Sequence, residues 1–330
     1  MDSVLNCLVT DSVGPGEYLD RFLKSAREAL SYDQGFAVRS PHIALSLALD
    51  ALGVQRGDAV ALPALAPGYY ARVLADKGLE AVFFDVGSEW AAASAESLAE
   101  AIARAEKKPK AILLFEALGL LPDPEAFKAF GLPIIEDISQ ALGAYRGEIR
   151  AGSIGQLAIL GLENGGLITA GGGALLFARN KRDGTVLRNL YEGLEPELRM
   201  TDYNAALGYA QLRELETTIE KRREIYAGFA QQVARTRHRL LGQEGEGEAG
   251  FWAFPVALDS GMKDARAYAK KKEIDTEPAF ETSLVGRGLV PEGSCPNARS
   301  LLLRTLLFPV HQRVGTSGAQ KIARVLATLP

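Results

Sequence analysis

Cysteine and histidine are scarce in this chain of 330 residues, with two of the first and three of the second. Structural zinc centres are built from thiolates and imidazoles, so this shortage argues against one, and no metal site is expected. Cys7 and Cys295 are too few to staple so long a chain and read as reduced thiols of a cytoplasmic protein. An excess of one charge is also missing. Thirty-seven basic residues stand against 41 acidic ones, for a formal net charge of -4, which removes the electrostatic case for a nucleic-acid partner. No apolar run is long enough to span a membrane, because Glu116 interrupts the most apolar stretch, Ala111 to Leu121. The start, Met1-Asp2-Ser3, lacks the basic residues that open a secretory signal. Lysine itself is absent between Lys128 and Lys181. That last gap acquires meaning only from the motifs around it.

What is present is an alternation of helix and strand signals. Tyr18, Leu19, Phe22, Leu23, Ala26 and Leu30 have the spacing of an amphipathic helix over Glu17 to Leu30. Phe36 to Val38 reads as a strand, and a helix is expected from about Ile43 to Leu52. Short apolar runs follow at 59–62, 81–84, 111–115 and 133–136, each preceded by a helical stretch. Strands separated by helices imply a mostly parallel sheet covered on both faces. Ligands of such sheets collect at the carboxyl ends of the strands, which directs attention to the residues after Leu62, Phe115 and Glu136.

After residue 150 the pattern changes. Apolar runs at 157–161 and 174–177 flank a glycine-rich segment, and Gly171 to Gly173 reads as a tight turn between two strands. One long helix is expected from about Tyr203 to Val233, with a charged outer face. Gly242 to Gly250 is acidic and glycine-rich and reads as an exposed loop, and Lys270 to Lys272 as a solvated helix end. A smaller α+β segment then ends in a helix from about Thr316 to Thr328. Two domains are expected, 1–233 with the linking helix and 234–330.

Several motifs together resemble the DegT/StrS-type sugar aminotransferases. Ser40-Pro41-His42-Ile43-Ala44-Leu45 stands where that family has a Ser-Gly-Thr-x-Ala-Leu phosphate loop, and Gly57 to Leu65 is similar to its Gly-Asp-Glu-Val…Pro-Ala strand. Glu136-Asp137-Ile138-Ser139-Gln140-Ala141-Leu142-Gly143-Ala144 matches the most specific motif, Glu-Asp-x-x-Gln-Ala-x-Gly-Ala. Gly152-Ser153-Ile154-Gly155, Arg199-Met200-Thr201-Asp202 and Ala205 to Leu212 follow in the family's order. The resemblance implies the α/β fold of the fold type I pyridoxal phosphate (PLP) enzymes: a large, mostly parallel sheet domain with helices on both faces, then a small α+β C-terminal domain. It also implies a homodimer with sites between subunits.

The chemistry departs from the family. Its aldimine-forming lysine precedes a Thr-Gly-Glu-Gly-Gly turn, which here is Thr169 to Gly173, and counting back places Gly165 at the lysine position. Neither a lysine nor the histidine that some members use for dehydration lies nearby, and a Schiff base needs a primary amine. No catalytic residue is therefore assigned. Pro41 and His42 replace glycine and threonine in the phosphate loop, Pro67 replaces the aromatic residue that would stack on the cofactor, Glu116 replaces a histidine, and Glu197 replaces a partner-supplied asparagine. If a cofactor site is retained, the resemblance assigns it Asp137, Gln140, Ser40 and His42.

Each of these residues has a second, plainer reading. Asp137 and Gln140 fit a helix capping box, and His42 fits packing at a helix terminus. Tyr69, Glu116, Glu163, Asn164 and Glu197 are candidate pocket residues, although core filling is the default reading of Tyr69 and Tyr70. Glu116 and Glu163 would form a carboxylate pair if both faced one cavity. The expected protein is a family homologue without transaminase activity that binds, regulates or partners. Its cofactor is either none or PLP or pyridoxamine phosphate (PMP) held noncovalently, and its partners are an active homologue or a nucleotide-sugar. The alternatives are a PLP/PMP enzyme acting on a nucleotide-linked keto-sugar, and a small-ligand binder without PLP.

Overall fold

The computed structural model describes residues 2–11 and 14–330; Met1, Ser12 and Val13 lie outside them. Helices α1 (Asp2–Val9) and α2 (Glu17–Leu30) lead into β1 (Gln34–Val38). The parallel body follows as α3 (Pro41–Ala51), β2 (Ala59–Pro63), α4 (Tyr69–Lys77), β3 (Glu80–Phe84), α5 (Ala95–Arg104), β4 (Pro109–Phe115), α6 (Pro124–Lys128) and β5 (Ile134–Asp137). A short hairpin, β6 (Tyr145–Arg146) and β7 (Ile149–Arg150), precedes β8 (Leu157–Gly161) and β9 (Ala174–Ala178).

These strands form a seven-stranded sheet in the order β1-β9-β8-β5-β4-β2-β3. Only β9 runs against its neighbours, pairing antiparallel with β1 and β8. The expected mostly parallel sheet is therefore present. Its two faces are buried against different helices. Val60, Leu62, Leu113, Phe115 and Ile135 meet α3 and α4, while Ala61, Ile112, Leu114 and Ile134 meet Leu98 of α5 and Phe127 of α6. At the β9 end, Ala158, Leu160, Leu175 and Phe177 pack on Phe22 and Ala26 of α2. Helix α2 has the predicted bounds because a solvated helix needs an apolar face, and its buried residues are Leu19, Phe22 and Ala26.

The remaining helices are α7 (Lys181–Glu192), α8 (Asp202–Leu212) and α9 (Leu215–Val233). The single long helix expected over 203–233 is thus two helices, separated at Arg213 and Glu214. Strand β10 (Arg239–Leu240) follows, then β11 (Gly247–Glu248), β12 (Phe254–Ala257), α10 (Met262–Lys271), β13 (Glu277–Pro278), α11 (Pro296–Arg304), β14 (Thr305–Phe308) and α12 (Gly315–Leu326). A four-stranded sheet, β10-β12-β14-β13, packs with α9, α10 and α12 around Phe229, Val233, Phe254, Phe308 and Val325.

The acidic segment 242–250 is only partly the exposed loop expected. Its β11 pairs with β6, Arg223 Nε reaches both Glu248 oxygens at 3.1 and 3.0 Å, and Gly250 N donates to Gly119 O at 3.0 Å. Gly171 to Gly173 is likewise no tight hairpin, because β8 and β9 are joined by the whole loop 162–173. Lys270 and Lys271 do close α10 at an exposed end. Both cysteines are free and buried. Among the described residues no helix is long and apolar enough to cross a membrane.

Candidate active site

The sheet order reverses between β4 and β2, and the carboxyl ends there carry the residues of interest. Side chains alternate across a strand, so Glu136 and Asp137 of β5 face opposite ways. Asp137 lies opposite Phe115 of β4, on the face covered by α3 and α4. After β2 the chain turns through Ala66-Pro67-Gly68 and is clamped by a C-terminal strap: Gly68 N donates to Thr282 O at 2.9 Å, and Leu284 N to Ala66 O at 2.8 Å. A Cβ on Gly68 would lie 2.4 Å from Arg287 Cδ and 3.0 Å from Thr282 O, so a side chain here would displace Arg287 and crowd the strap.

That turn aims the first two residues of α4 at Asp137. Tyr70 donates its hydroxyl to Asp137 Oδ2 at 2.6 Å and Tyr69 donates to the same oxygen at 3.2 Å. Asp137 Oδ1 accepts Ser139 N at 3.0 Å and the Ser139 hydroxyl, whose Oγ in turn accepts Gly161 N at 2.7 Å. A carboxylate has about four acceptor positions, and the chain's own donors take all four here. Burial nevertheless pushes the Asp137 carboxyl above the ordinary aspartate range, and burial beside that charge holds the Tyr69 and Tyr70 phenols well above theirs. Pro67 contributes no aromatic ring here; it forms a bridge to Ser283.

The other candidates are placed by ordinary structural roles. Ser40 caps α3, its Oγ accepting Ile43 N at 3.4 Å, with Pro41 at the first helical position. His42 lies on that first turn, with Nε2 3.6 Å from Asp76 of α4, and its ring is 6.5 Å from that of Tyr69. Gln140 forms no capping box with Asp137. Its Oε1 accepts Leu118 N at 2.7 Å and holds a residue whose φ is 59°. Glu163 and Asn164 are exposed in the β8–β9 loop, and the charge of Glu163 contributes to raising the Tyr69 phenol. Glu197 is exposed in the short helix Pro196–Leu198, where its carbonyl accepts Arg39 Nε at 3.2 Å.

Glu116 does not pair with Glu163. It is fully buried, neither of its oxygens has a donor, and the carboxyl groups beside it are Glu136 and Asp137. Glu136 is fixed by three backbone donors: Gly152 N at 2.6 Å, Ile154 N at 2.8 Å and Gly155 N at 2.7 Å. Tyr32 and Arg179 both donate to Gly152 O on the same side. Burial first, then the neighbouring carboxylates, drive the Glu116 pKa well above the ordinary glutamate range. The surroundings of Glu116 therefore favour its protonated form. Sequence reasoning identified both Glu116 and Tyr70 but missed their partners, which strand alternation together with the α4 turn would have indicated.

Gly165 has a φ of +91°, and a Cβ built there meets nothing within 4 Å. The position is roomy, but its backbone is one that a residue with a side chain rarely adopts. The arrangement does not fit the cofactor implied by the resemblance. No lysine is within the segment, the acid that would face a pyridine nitrogen has its acceptor positions filled, and proline removes a backbone donor at the start of α3.

Comparison with known proteins agrees with the fold. A model of the DegT/DnrJ/EryC1/StrS aminotransferase family matches residues 1–327. The chain is 25% identical over 285 residues to a GDP-perosamine synthase of Vibrio cholerae, covering 80% of this chain and 77% of that protein. A DegT DnrJ EryC1 StrS aminotransferase structure from Brucella abortus superposes with a TM-score of 0.90 at 22% identity, covering 98% and 93% of the two chains. The Escherichia coli GDP-4-keto-6-deoxy-D-mannose-3-dehydratase with bound hydrated PLP gives 0.86 at 19% identity, covering 98% and 95%. With its sheet order, its Glu136-Asp137 motif and nearly its whole length accounted for, the chain belongs to the DegT/DnrJ/EryC1/StrS aminotransferase family.

Proposed function

We propose that this chain is a non-transaminating member of the sugar aminotransferase family that acts through what it binds, with a nucleotide-linked sugar as its ligand. The observation that carries this reading is Gly165: an exposed, left-handed glycine stands where an amine would have to form the aldimine. The names of the relatives support the ligand class, since the Vibrio cholerae protein is a GDP-perosamine synthase. A cytoplasmic homodimer, or a pairing with an active homologue, belongs to the same proposal. A PMP-dependent enzyme acting on a nucleotide-linked keto-sugar is the second reading. In its favour is the position of Asp137 at the carboxyl end of β5; against it are the four donors on that carboxylate. Calorimetric titration with a GDP-hexose, run beside an amino-transfer assay supplied with PLP and an amino-acid donor, separates the two. Saturable sugar binding without transfer is expected, and turnover dependent on PLP would overturn the proposal.

A further inference from the structure

A missing lysine removes the covalent link to PLP but leaves noncovalent binding open. The bonds on Asp137 address what remains. We propose that Tyr70, assisted by Tyr69, is the permanent internal occupant of the Asp137 carboxylate, and that this pair closes the site to PMP and PLP. The inference rests on the non-transaminating reading above and extends it from chemistry to occupancy.

Three observations support it. Asp137 is 1% exposed and Tyr70 is 1% exposed, so their 2.6 Å bond lies wholly inside the protein. The Tyr70 ring is held edge-on by two others, Tyr69 at 4.9 Å and Phe115 at 6.4 Å between centroids, so the phenol cannot swing aside without repacking its surroundings. The opposite oxygen, Oδ1, is committed to Ser139. A pyridine nitrogen seeking this carboxylate must displace a phenol and leave it buried without a partner, and an unpaired buried hydroxyl is costly. At the Ser40-Pro41 end of α3 two backbone donors are missing for a phosphate, since Ile43 N is given to Ser40 Oγ and Pro41 has no N–H.

The test is a titration of wild type, Tyr70→Phe and Tyr70→Ala with PMP, followed by absorbance and by calorimetry. PMP carries an amine where PLP carries an aldehyde, so its binding reports occupancy of the site independently of any aldimine. Wild type is expected to show no saturation at millimolar PMP. Tyr70→Ala, which frees both an acceptor and space, should bind PMP at least tenfold more tightly, and adding Asp137→Asn to it should abolish the gain. Near-ultraviolet circular dichroism establishes that each variant is folded. If Tyr70→Ala does not fold, Tyr70→Phe, which keeps the ring and frees one acceptor position, should still bind PMP more tightly than wild type. Saturable PMP binding by wild type, or folded variants that bind no better than wild type, would overturn the inference. Borohydride reduction of parallel PLP mixtures bears on the underlying reading, because a stoichiometric pyridoxyl-lysine contradicts that reading whatever the PMP titration shows.

Discussion

Gly165 and Glu116 show how much a single position decides. A lysine at Gly165 would have room, yet it would need a φ of +91°, a backbone state that costs about 1–3 kcal/mol for a residue with a side chain. Gly165→Lys is therefore expected to lower stability and to form no reducible aldimine with PLP; recovery of one would make the glycine the sole lesion. Glu116 predicts a pH dependence. In the folded chain its carboxyl keeps a proton that the unfolded chain releases above the ordinary value of 4.5. The folded state then binds more protons, so stability falls as pH rises from that value toward the raised folded pKa, by up to about 1.4 kcal/mol per unit. Glu136, Asp137 and Tyr32 are the titratable groups that interact with it, and Arg179 lies beyond them beside Tyr32. Glu116→Gln keeps the shape without the ionisation, so its advantage over wild type in urea denaturation should grow between about pH 5 and about pH 7. A constant difference would contradict the neutral-acid assignment. The sequence displayed both residues, and the family resemblance put Gly165 at the lysine position. It could not show the φ of Gly165, nor that Glu116 faces Glu136.

Elements were legible where local pattern and tertiary demand agree. The bounds of α2 follow from its apolar stripe, and the buried strands from their apolar runs. Agreement fails where contacts distant in sequence decide. Nothing in Leu212-Arg213-Glu214-Leu215 breaks a helix by propensity. The chain nevertheless divides at Arg213 and Glu214; Tyr209, Leu212, Leu215 and Ile219 on both sides of the break pack on the core around α2, and only Phe229 and Val233 further along α9 serve the small sheet. Helix α11 gives a second case. Its N-cap residue, Cys295, has φ 53° and makes no side-chain cap. The cap comes from Asp85, after β3, whose oxygens accept Asn297 N at 2.8 Å and Ala298 N at 2.9 Å. Asp85→Ala leaves those buried donors unpaired and should cost about 1–3 kcal/mol in chemical denaturation, with Asp85→Asn recovering part. A loss below about 0.5 kcal/mol would remove Asp85 from that role.

Across the whole molecule, the apolar runs placed the strands of the large sheet, and the motif series implied the family fold that arranges them. The role of the C-terminal chain was less legible. Phe280, Leu284, Val285, Val290 and Leu301 are buried with the core of the large sheet, not with that of the small one, and the strap at 282–285 sets the turn that points Tyr69 and Tyr70 at Asp137. The family fold is thus present over nearly the whole chain, and the carboxylate at its centre is bonded by the chain's own side chains. The central claim, that no amino-group chemistry passes through a lysine of this chain, is open to direct measurement. Purified protein incubated with PLP is reduced with borohydride, digested and searched by mass spectrometry for pyridoxylated peptides. The account predicts no stoichiometric label on any lysine; one lysine carrying a full equivalent of pyridoxyl group would contradict it.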